Sequence, residues 1–227
     1  MDQAELLVAT REEIDDEIEP YLWADSTLLR HLREAAREAA IRARLLVESE
    51  RADLCHIAMV PGQAQYTLNP ALILIRRAVL QSDLSTPLCR TTAAGLDGIC
   101  STWRTQAGRP EYLVVNQQGA GKTLIVSPIP TQAEILYLTV WRLPTPDEEF
   151  TEGDDTVEPP FEEQHHGKLI HWAAFRALTK RDAEQEAKAD AADQIALFEA
   201  HFGPRPTARQ LQQLAIDRTV GTEAVWF

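Results

Sequence analysis

Hydrophobic side chains in residues 26–50 recur at intervals of three and four positions. On a helix of 3.6 residues per turn this spacing gives one apolar stripe, with polar side chains on the opposite side. The stripe consists of Leu28, Leu32, Ala36, Ala39, Ala43, Leu46 and Val47. The pattern predicts an amphipathic helix, and its small alanines predict a second helix packed closely against its middle.

Four other stretches also predict helices. Residues 2–19 place apolar positions among acids and should form a helix that ends at Pro20. Residues 163–181 are apolar around most of a helical circumference, which predicts burial in a core or an interface. Residues 182–202 carry a single stripe, and residues 206–216 can form one more short helix.

The middle of the chain alternates apolar and polar residues with a period of two, which is typical of strands. Residues 55–59 and 64–68 alternate on either side of the turn signal Pro61-Gly62, so they predict a β-hairpin. Further strands are predicted at residues 72–80, 111–116, 123–127 and 134–142. This part should therefore be a β-rich unit of about five or six strands.

The predicted architecture is helical at both ends and β-rich in the middle. Neither terminal helical stripe can be buried alone, so the two ends should pack together. We therefore predict an α+β fold, mainly α, in which N- and C-terminal helices form a bundle with a central β-rich insertion. The segments are the first part of the bundle (1–53), the insertion (54–144), an acidic loop (145–162), the second part of the bundle (163–203) and a C-terminal arm (204–227).

The overall charge limits the possible partners. The chain has 227 residues and a net charge of −13. Proteins that grip nucleic acid neutralise its phosphates with Lys and Arg, so this balance argues against DNA binding, although an acidic wall would let a duplex slide past. No apolar run approaches the roughly 18 residues that span a bilayer, and the acidic N-terminus predicts no targeting peptide.

Residues 145–163 contain nine acids and neither Lys nor Arg. Such a segment is typical of an exposed linker, and it could also line a channel for DNA. The candidates for channel lining are Asp147, Glu148, Glu149, Asp154 and Asp155. Their spacing lacks the central Gly and terminal Glu of a calcium-binding loop, so we expect no specific metal site there.

The motif Gly119-Ala120-Gly121-Lys122-Thr123 resembles the end of a phosphate-binding loop. The full pattern requires Gly where this chain has Asn116, and it requires a helix after the motif. The residues that follow Lys122 have the character of a strand, so the motif predicts a glycine-rich hairpin turn. A nucleotide-binding enzyme that uses Lys122 is the weaker alternative.

Other catalytic or metal-binding patterns are missing from the sequence. His165, His166 and His171 lack the spacing of zinc ligands, and we expect His171 to be a partly buried imidazole near a helix start. The cysteines, Cys55, Cys89 and Cys100, contain no CxxC pair and are expected to be reduced thiols. We therefore predict no catalytic, cofactor-binding or metal-binding residue, no cofactor and no enzymatic activity.

Aromatic residues provide candidates for subunit contacts. Val225, Trp226 and Phe227 form the C-terminus, where chain ends seldom join a core. Trp172 lies in the predicted buried helix 163–181. Because buried tryptophans dominate many interfaces, these four residues are our candidates for a subunit interface, with packing on the chain's own body as the alternative.

Several stretches resemble the tailed-phage head-to-tail adaptor (connector) family, which includes head-completion and tail tubular proteins. The likeness covers most of residues 5–205. It lies in residues 19–25 leading into the helix at 28–45, in 62–68, 108–113 and 127–130, and in 165–180 and 198–203.

The resemblance implies a structural virion protein in the phage neck, assembled in the host cytoplasm. It implies a homo-oligomeric ring, about twelve copies in the virion, that binds the portal protein on one side and a tail or stopper protein on the other. Double-stranded DNA would pass through the ring without specific binding, and no membrane would be involved. Another neck or tail-completion protein and a host interaction module are the alternatives outside enzymology.

Overall fold

The computed structural model describes residues 1–118, 121–179 and 185–216 of the chain. Its α-helices are α1 (Gln3–Glu13), α2 (Asp25–Ala43), α3 (Ala52–Cys55), α4 (Ala93–Ile99), α5 (Leu169–Leu178), α6 (Gln185–Phe202) and α7 (Ala208–Leu214). Its strands are β1 (Val47–Glu48), β2 (His56–Met59), β3 (Gln65–Thr67), β4 (Leu72–Leu80), β5 (Asp83–Pro87), β6 (Cys89–Thr91), β7 (Ala107–Gly108), β8 (Tyr112–Gln118), β9 (Gly121–Ser127), β10 (Ile129–Pro130) and β11 (Glu134–Arg142). The predicted mixture of helices and strands is therefore confirmed.

The chain divides into two compact units. Unit 1 comprises residues 1–46 and 143–206, and unit 2 comprises residues 47–142 and 207–227. The first contains α1, α2, α5 and α6, and the second contains the sheets.

Unit 1 is organised around α5, which packs against α1, α2 and α6. Alanines Ala35 and Ala39 of α2 and Ala173 of α5 are completely buried in the shared core. Their small side chains allow the helix axes to approach closely, as the alanine-rich stripe predicts. The larger residues Leu32 and Phe198 fill the space around them.

The helices of unit 1 are shorter than the periodicity predicts. The helix predicted for residues 2–19 ends at Glu13, because Asp15 adopts the left-handed conformation with a φ of 54°. The helix predicted for 26–50 ends at Ala43, where Arg44 has a φ of 53°. Residues 163–168 form a 3₁₀ helix, so the predicted helix 163–181 begins in α geometry only at Leu169.

In unit 2 the larger hydrophobic core lies between two sheets, and a smaller cluster forms around Leu96, Trp103 and Val114. In the larger sheet the strand order is β1-β11-β4-β5, and β2 also pairs with β11. The other principal sheet has the order β3-β9-β8-β6. Inward-facing residues of both sheets, such as Leu136 and Val140 of β11 and Leu124 of β9, share the core.

The predicted hairpin of residues 55–59 with 64–68 is wrong. Strand β2 pairs with β11 of the larger sheet, whereas β3 pairs with β9 of the other sheet. Alternation identifies which residues form strands, but partners distant in sequence decide the pairing. The strands predicted at 72–80, 111–116, 123–127 and 134–142 are confirmed as β4, β8, β9 and β11.

Candidate interaction surfaces

The negative charge of the chain is concentrated in unit 1. Unit 1 contains 26 Asp and Glu against 12 Lys and Arg, a net charge of −14. Unit 2 contains 9 acids against 10 bases, a net charge of +1. A negatively charged partner would therefore be repelled more strongly by unit 1 than by unit 2.

The acidic segment after β11 is fixed to the core of unit 1. Phe150 is 2% exposed and belongs to the core that α2 and α5 share. The amide of Gln3 exchanges two hydrogen bonds with the backbone of Thr151, at 2.8 and 2.9 Å. The segment is thus held in place at its middle while most of its acids remain at the surface.

The five predicted channel residues fall into two groups. Asp147, Asp154 and Asp155 are exposed. Glu148 accepts hydrogen bonds from the backbone and hydroxyl of Thr145, at 2.9 and 2.8 Å, and so caps the turn at Pro146–Glu148. Glu149 is half-buried and forms an ion pair with Arg37. Glu148 and Glu149 therefore stabilise unit 1. The three aspartates are exposed, and Asp154 accepts hydrogen bonds from the backbone amide and hydroxyl of Thr156 at 3.3 and 2.9 Å.

Trp172 packs on the aromatic residues of its own unit. Its ring lies 5.2 Å from that of Phe198 and 5.7 Å from that of Phe175, and the guanidinium of Arg42 lies 5.3 Å from its centroid. The indole Nε1 is buried and has no hydrogen-bond partner among the described residues. The residue remains partly exposed, so an interface role for it stays a prediction. Val225, Trp226 and Phe227 lie outside the described residues.

Lys122 lies on a strand. Strand β9 begins at Gly121, inside the glycine-rich motif, and pairs antiparallel with β8, so a strand lies where a phosphate-binding loop requires a helix. The Lys122 ammonium donates a hydrogen bond to the carbonyl of Leu72, and burial lowers the pKa of this side chain. The predicted strand after Lys122 is confirmed.

Histidines meet where the 3₁₀ helix Glu163–Lys168 and α5 face α6. His165 Nδ1 lies 2.9 Å from His201 Nε2, and His171 Nδ1 lies 2.8 Å from the amide oxygen of Gln194. Burial lowers the pKa of His201, and the neighbouring His165, Lys168 and His171 lower it further. In the part of the chain that the structure describes, no three His, Cys, Asp or Glu residues are grouped as a metal site.

The connection between α1 and α2, residues 14–24, is held by a buried network that the sequence analysis missed. We call it the α1–α2 loop. Arg11, 7% exposed, donates to Asp16 at 2.6 Å, to the carbonyl of Trp23 at 2.9 Å and to the carboxylate of Asp25. Asp16 in turn accepts hydrogen bonds from the backbone amides of Leu22 and Trp23, at 2.7 and 3.1 Å. This network fixes the conformation of the loop.

The rigid loop displays apolar side chains to solvent. Ile18 is 85% exposed and Leu22 is 61% exposed. Tyr21 packs over the Arg11 guanidinium at 3.9 Å. The helix predicted over residues 2–19 would have included Ile18 as one of its apolar positions. The left-handed turn after α1 overturns that assignment. The aromatic and apolar residues directly after the acidic helix were the sequence signal that could have identified this loop.

The family model for the SU10 adaptor protein matches residues 1–221. The chain therefore belongs to the SU10 adaptor protein family, a family of phage head-to-tail adaptors, and the predicted family resemblance is confirmed. Among curated proteins, none matches the chain significantly. Within the described residues, no helix is long and apolar enough to cross a bilayer.

Proposed function

We propose that the chain is the adaptor subunit of a head-to-tail connector ring in the neck of a tailed phage. The family match over residues 1–221 is the observation that carries this proposal. In the proposed ring, about twelve copies dock to the portal protein on one side and to a tail or stopper protein on the other. The protein acts structurally, without a cofactor or catalytic residue.

We assign the two units different tasks. In this proposal unit 1 is a helical bundle into which the β-rich unit 2 is inserted, and unit 1 forms part of the DNA channel. Its net charge of −14 supports this assignment, because an acidic wall repels the duplex and offers no phosphate-binding surface. The exposed Asp147, Asp154 and Asp155 are the channel-lining residues we favour, with Glu148 and Glu149 holding the segment in shape.

Ring subunits also need contacts with their neighbours. A head-to-tail contact between identical subunits closes a ring when its rotation divides the circle. We assign Trp172 to such a contact because its ring is partly exposed and aromatic side chains often anchor interfaces. We assign the terminal Val225, Trp226 and Phe227 to the same role on the strength of their sequence.

Electron microscopy of the virion neck tests the proposal. The chain should be found between portal and tail as a ring around the DNA. Disruption of its gene should leave DNA-filled heads without tails, and supplying the intact gene in trans should restore tailed particles. Tailed virions that lack the chain would contradict the proposal.

A further inference from the structure

The exposed tip of the α1–α2 loop is an unusual feature of the surface of unit 1. Its apolar side chains Ile18 and Leu22 are 85% and 61% exposed. Both stand in a loop whose shape the buried Arg11–Asp16 pair already fixes. Such a loop loses little conformational entropy when it binds, and its exposed apolar surface gains from being covered. The loop is therefore suited to bind another protein surface without changing its own conformation.

The charges around the tip indicate what kind of surface covers it. Asp15, Glu17 and Glu19 are exposed, and no Lys or Arg among the described residues forms an ion pair with them. A complementary surface would pair an exposed apolar residue with positive charge. The remainder of unit 1 is unsuitable because its net charge is strongly negative.

The hairpin formed by β4 and β5 of unit 2 provides such a surface. Leu84 at the start of β5 is 60% exposed. The exposed guanidinium of Arg77 donates to the carbonyl of Leu84 at 2.8 Å, and no carboxylate in the described parts of the chain forms an ion pair with it. Arg109 is bound to the first residue of β5, because it forms an ion pair with Asp83 at 3.2 Å.

The hairpin is also preformed. The carboxylate of Asp83 accepts hydrogen bonds from the hydroxyl of Ser85 at 2.6 Å and from the amide of Thr86 at 3.1 Å. The other nearby carboxylate, Glu134, is occupied by the hydroxyl of Ser82 at 2.8 Å. Arg77 therefore supplies an uncompensated positive charge beside an exposed leucine.

We propose that the α1–α2 loop of one copy docks on the β4–β5 hairpin of the next copy. In this contact Ile18 and Leu22 cover Leu84, while Glu17 and Glu19 face Arg77 and Arg109. The inference rests on the proposed ring function and names the surfaces that join neighbouring subunits. The two surfaces are different patches of one chain, so the contact is head-to-tail and suited to a closed ring.

Disulfide trapping in assembled particles tests the contact. The variant carries Leu22→Cys and Leu84→Cys, together with Cys89→Ser and Cys100→Ser to remove the partly exposed thiols. After oxidation of purified virions, a denaturing gel without reductant should show a ladder of covalent oligomers of this chain. Particles with only one of the two new cysteines should show none, which makes them matched controls.

Charge reversal provides a second test that does not depend on cysteine chemistry. Arg77→Glu alone should lower the yield of tailed particles about tenfold, because like charges then face each other across the contact. The pair Glu17→Arg and Glu19→Arg should cause a similar loss. Combining Arg77→Glu with Glu17→Arg alone should restore most of the yield, since opposite charges then face each other across the whole contact.

Each remaining outcome overturns the inference. Tailed particles without a ladder, or a failure of the combined charge variant to restore yield, would reject this contact and leave the adaptor function standing. A disulfide within one chain, or a link from position 22 to the portal, would reject the second copy as the occupant. Virions that lack the chain altogether would reject the adaptor function and this inference together.

Discussion

The contact between His165 and His201 depends on protonation. Their nitrogens lie 2.9 Å apart, so one imidazole must donate an N–H hydrogen bond and the other must accept it with a lone pair. If both rings were charged, neither could accept, and the positive charge would adjoin Lys168 and His171 as well. The packing of the 3₁₀ helix Glu163–Lys168 on α6 should therefore weaken in acid.

We expect the free energy of unfolding to fall as the pH drops below about 6.5. The pKa of His201 is lowered from its ordinary value of 6.5 by burial and by the electrostatic influence of His165, Lys168 and His171. The folded chain consequently binds fewer protons than the unfolded chain in this range, and acid favours unfolding. Urea titrations at about pH 7.5 and pH 5.5 should show a smaller acid loss for His201→Gln than for the wild type.

A matched control for this measurement is Lys188→Gln, an exposed position on the same helix. It changes a side chain of α6 without touching the histidine pair, so it should keep the acid loss of the wild type. Equal pH dependence of the wild type and His201→Gln would show that this pair does not control the acid response.

The α1–α2 loop is an element whose shape depends on one buried cation. Replacing Arg11 by Met removes the partner of Asp16 and leaves that carboxylate 7% exposed with only backbone amides to bind. Removing one member of a buried ion pair typically costs about 3 kcal/mol. We therefore expect Arg11→Met to lower the free energy of unfolding by about that amount, measured by chemical denaturation.

The control is Arg30→Met on α2. Arg30 is exposed and has no ion-pair partner in the described part of the chain, so its loss should change stability by less than about 0.5 kcal/mol. Comparable effects of the two substitutions would mean that the buried network contributes no more than a surface arginine.

Elements with a long regular pattern could be predicted from the sequence, and their ends could not. The stripe of α2 and the alternation of β4 and β11 identify those elements because their buried faces repeat over several turns or residues. The ends of α1 and α2 depend on single residues, Asp15 and Arg44, that enter the left-handed conformation. Neither residue is a glycine, so composition gave no sign of the stop.

The pairing of the strands could not be predicted from the sequence, for a different reason. Residues 56–59 alternate regularly, but their partner on β11 lies far along the chain. The local turn signal Pro61-Gly62 therefore suggested the wrong neighbour. Alternation reports which side of a strand is buried, and it contains no information on which distant strand completes the sheet.

Only some of the candidate contact residues could be predicted from the sequence. The acidic segment and Trp172 are conspicuous by composition, and the structure distinguishes their exposed atoms from those that hold unit 1 together. The α1–α2 loop escaped because its exposure depends on Arg11, Asp16 and Asp25 converging from separate turns. Such convergence is a property of the folded chain.

At the scale of the whole molecule, the separation of charge between the units is the feature most relevant to DNA. Unit 1 has a net charge of −14 and unit 2 of +1, so in the proposed ring the orientation of the subunits would decide which charge a passing duplex meets. Duplex DNA carries a dense negative charge and is repelled by a like-charged wall over about one Debye length, roughly 8 Å at physiological salt. An acidic lumen would therefore keep the DNA mobile.

The exposed aspartates of the acidic segment allow this idea to be tested while the contacts of Glu148 and Glu149 are kept. Asp147→Asn, Asp154→Asn and Asp155→Asn together remove three charges and spare Glu148 and Glu149, which cap a turn and pair with Arg37. Particles with this triple variant should assemble normally but release DNA severalfold more slowly, because the duplex meets less repulsion. Ejection kinetics followed by a DNA-binding dye measure the rate. A matched variant, Glu12→Gln with Asp190→Asn and Asp193→Asn, removes three exposed charges of unit 1 outside this segment. If both variants slow ejection equally, the net charge of the unit matters and this segment has no special place in the channel. If neither does, the segment does not face the DNA.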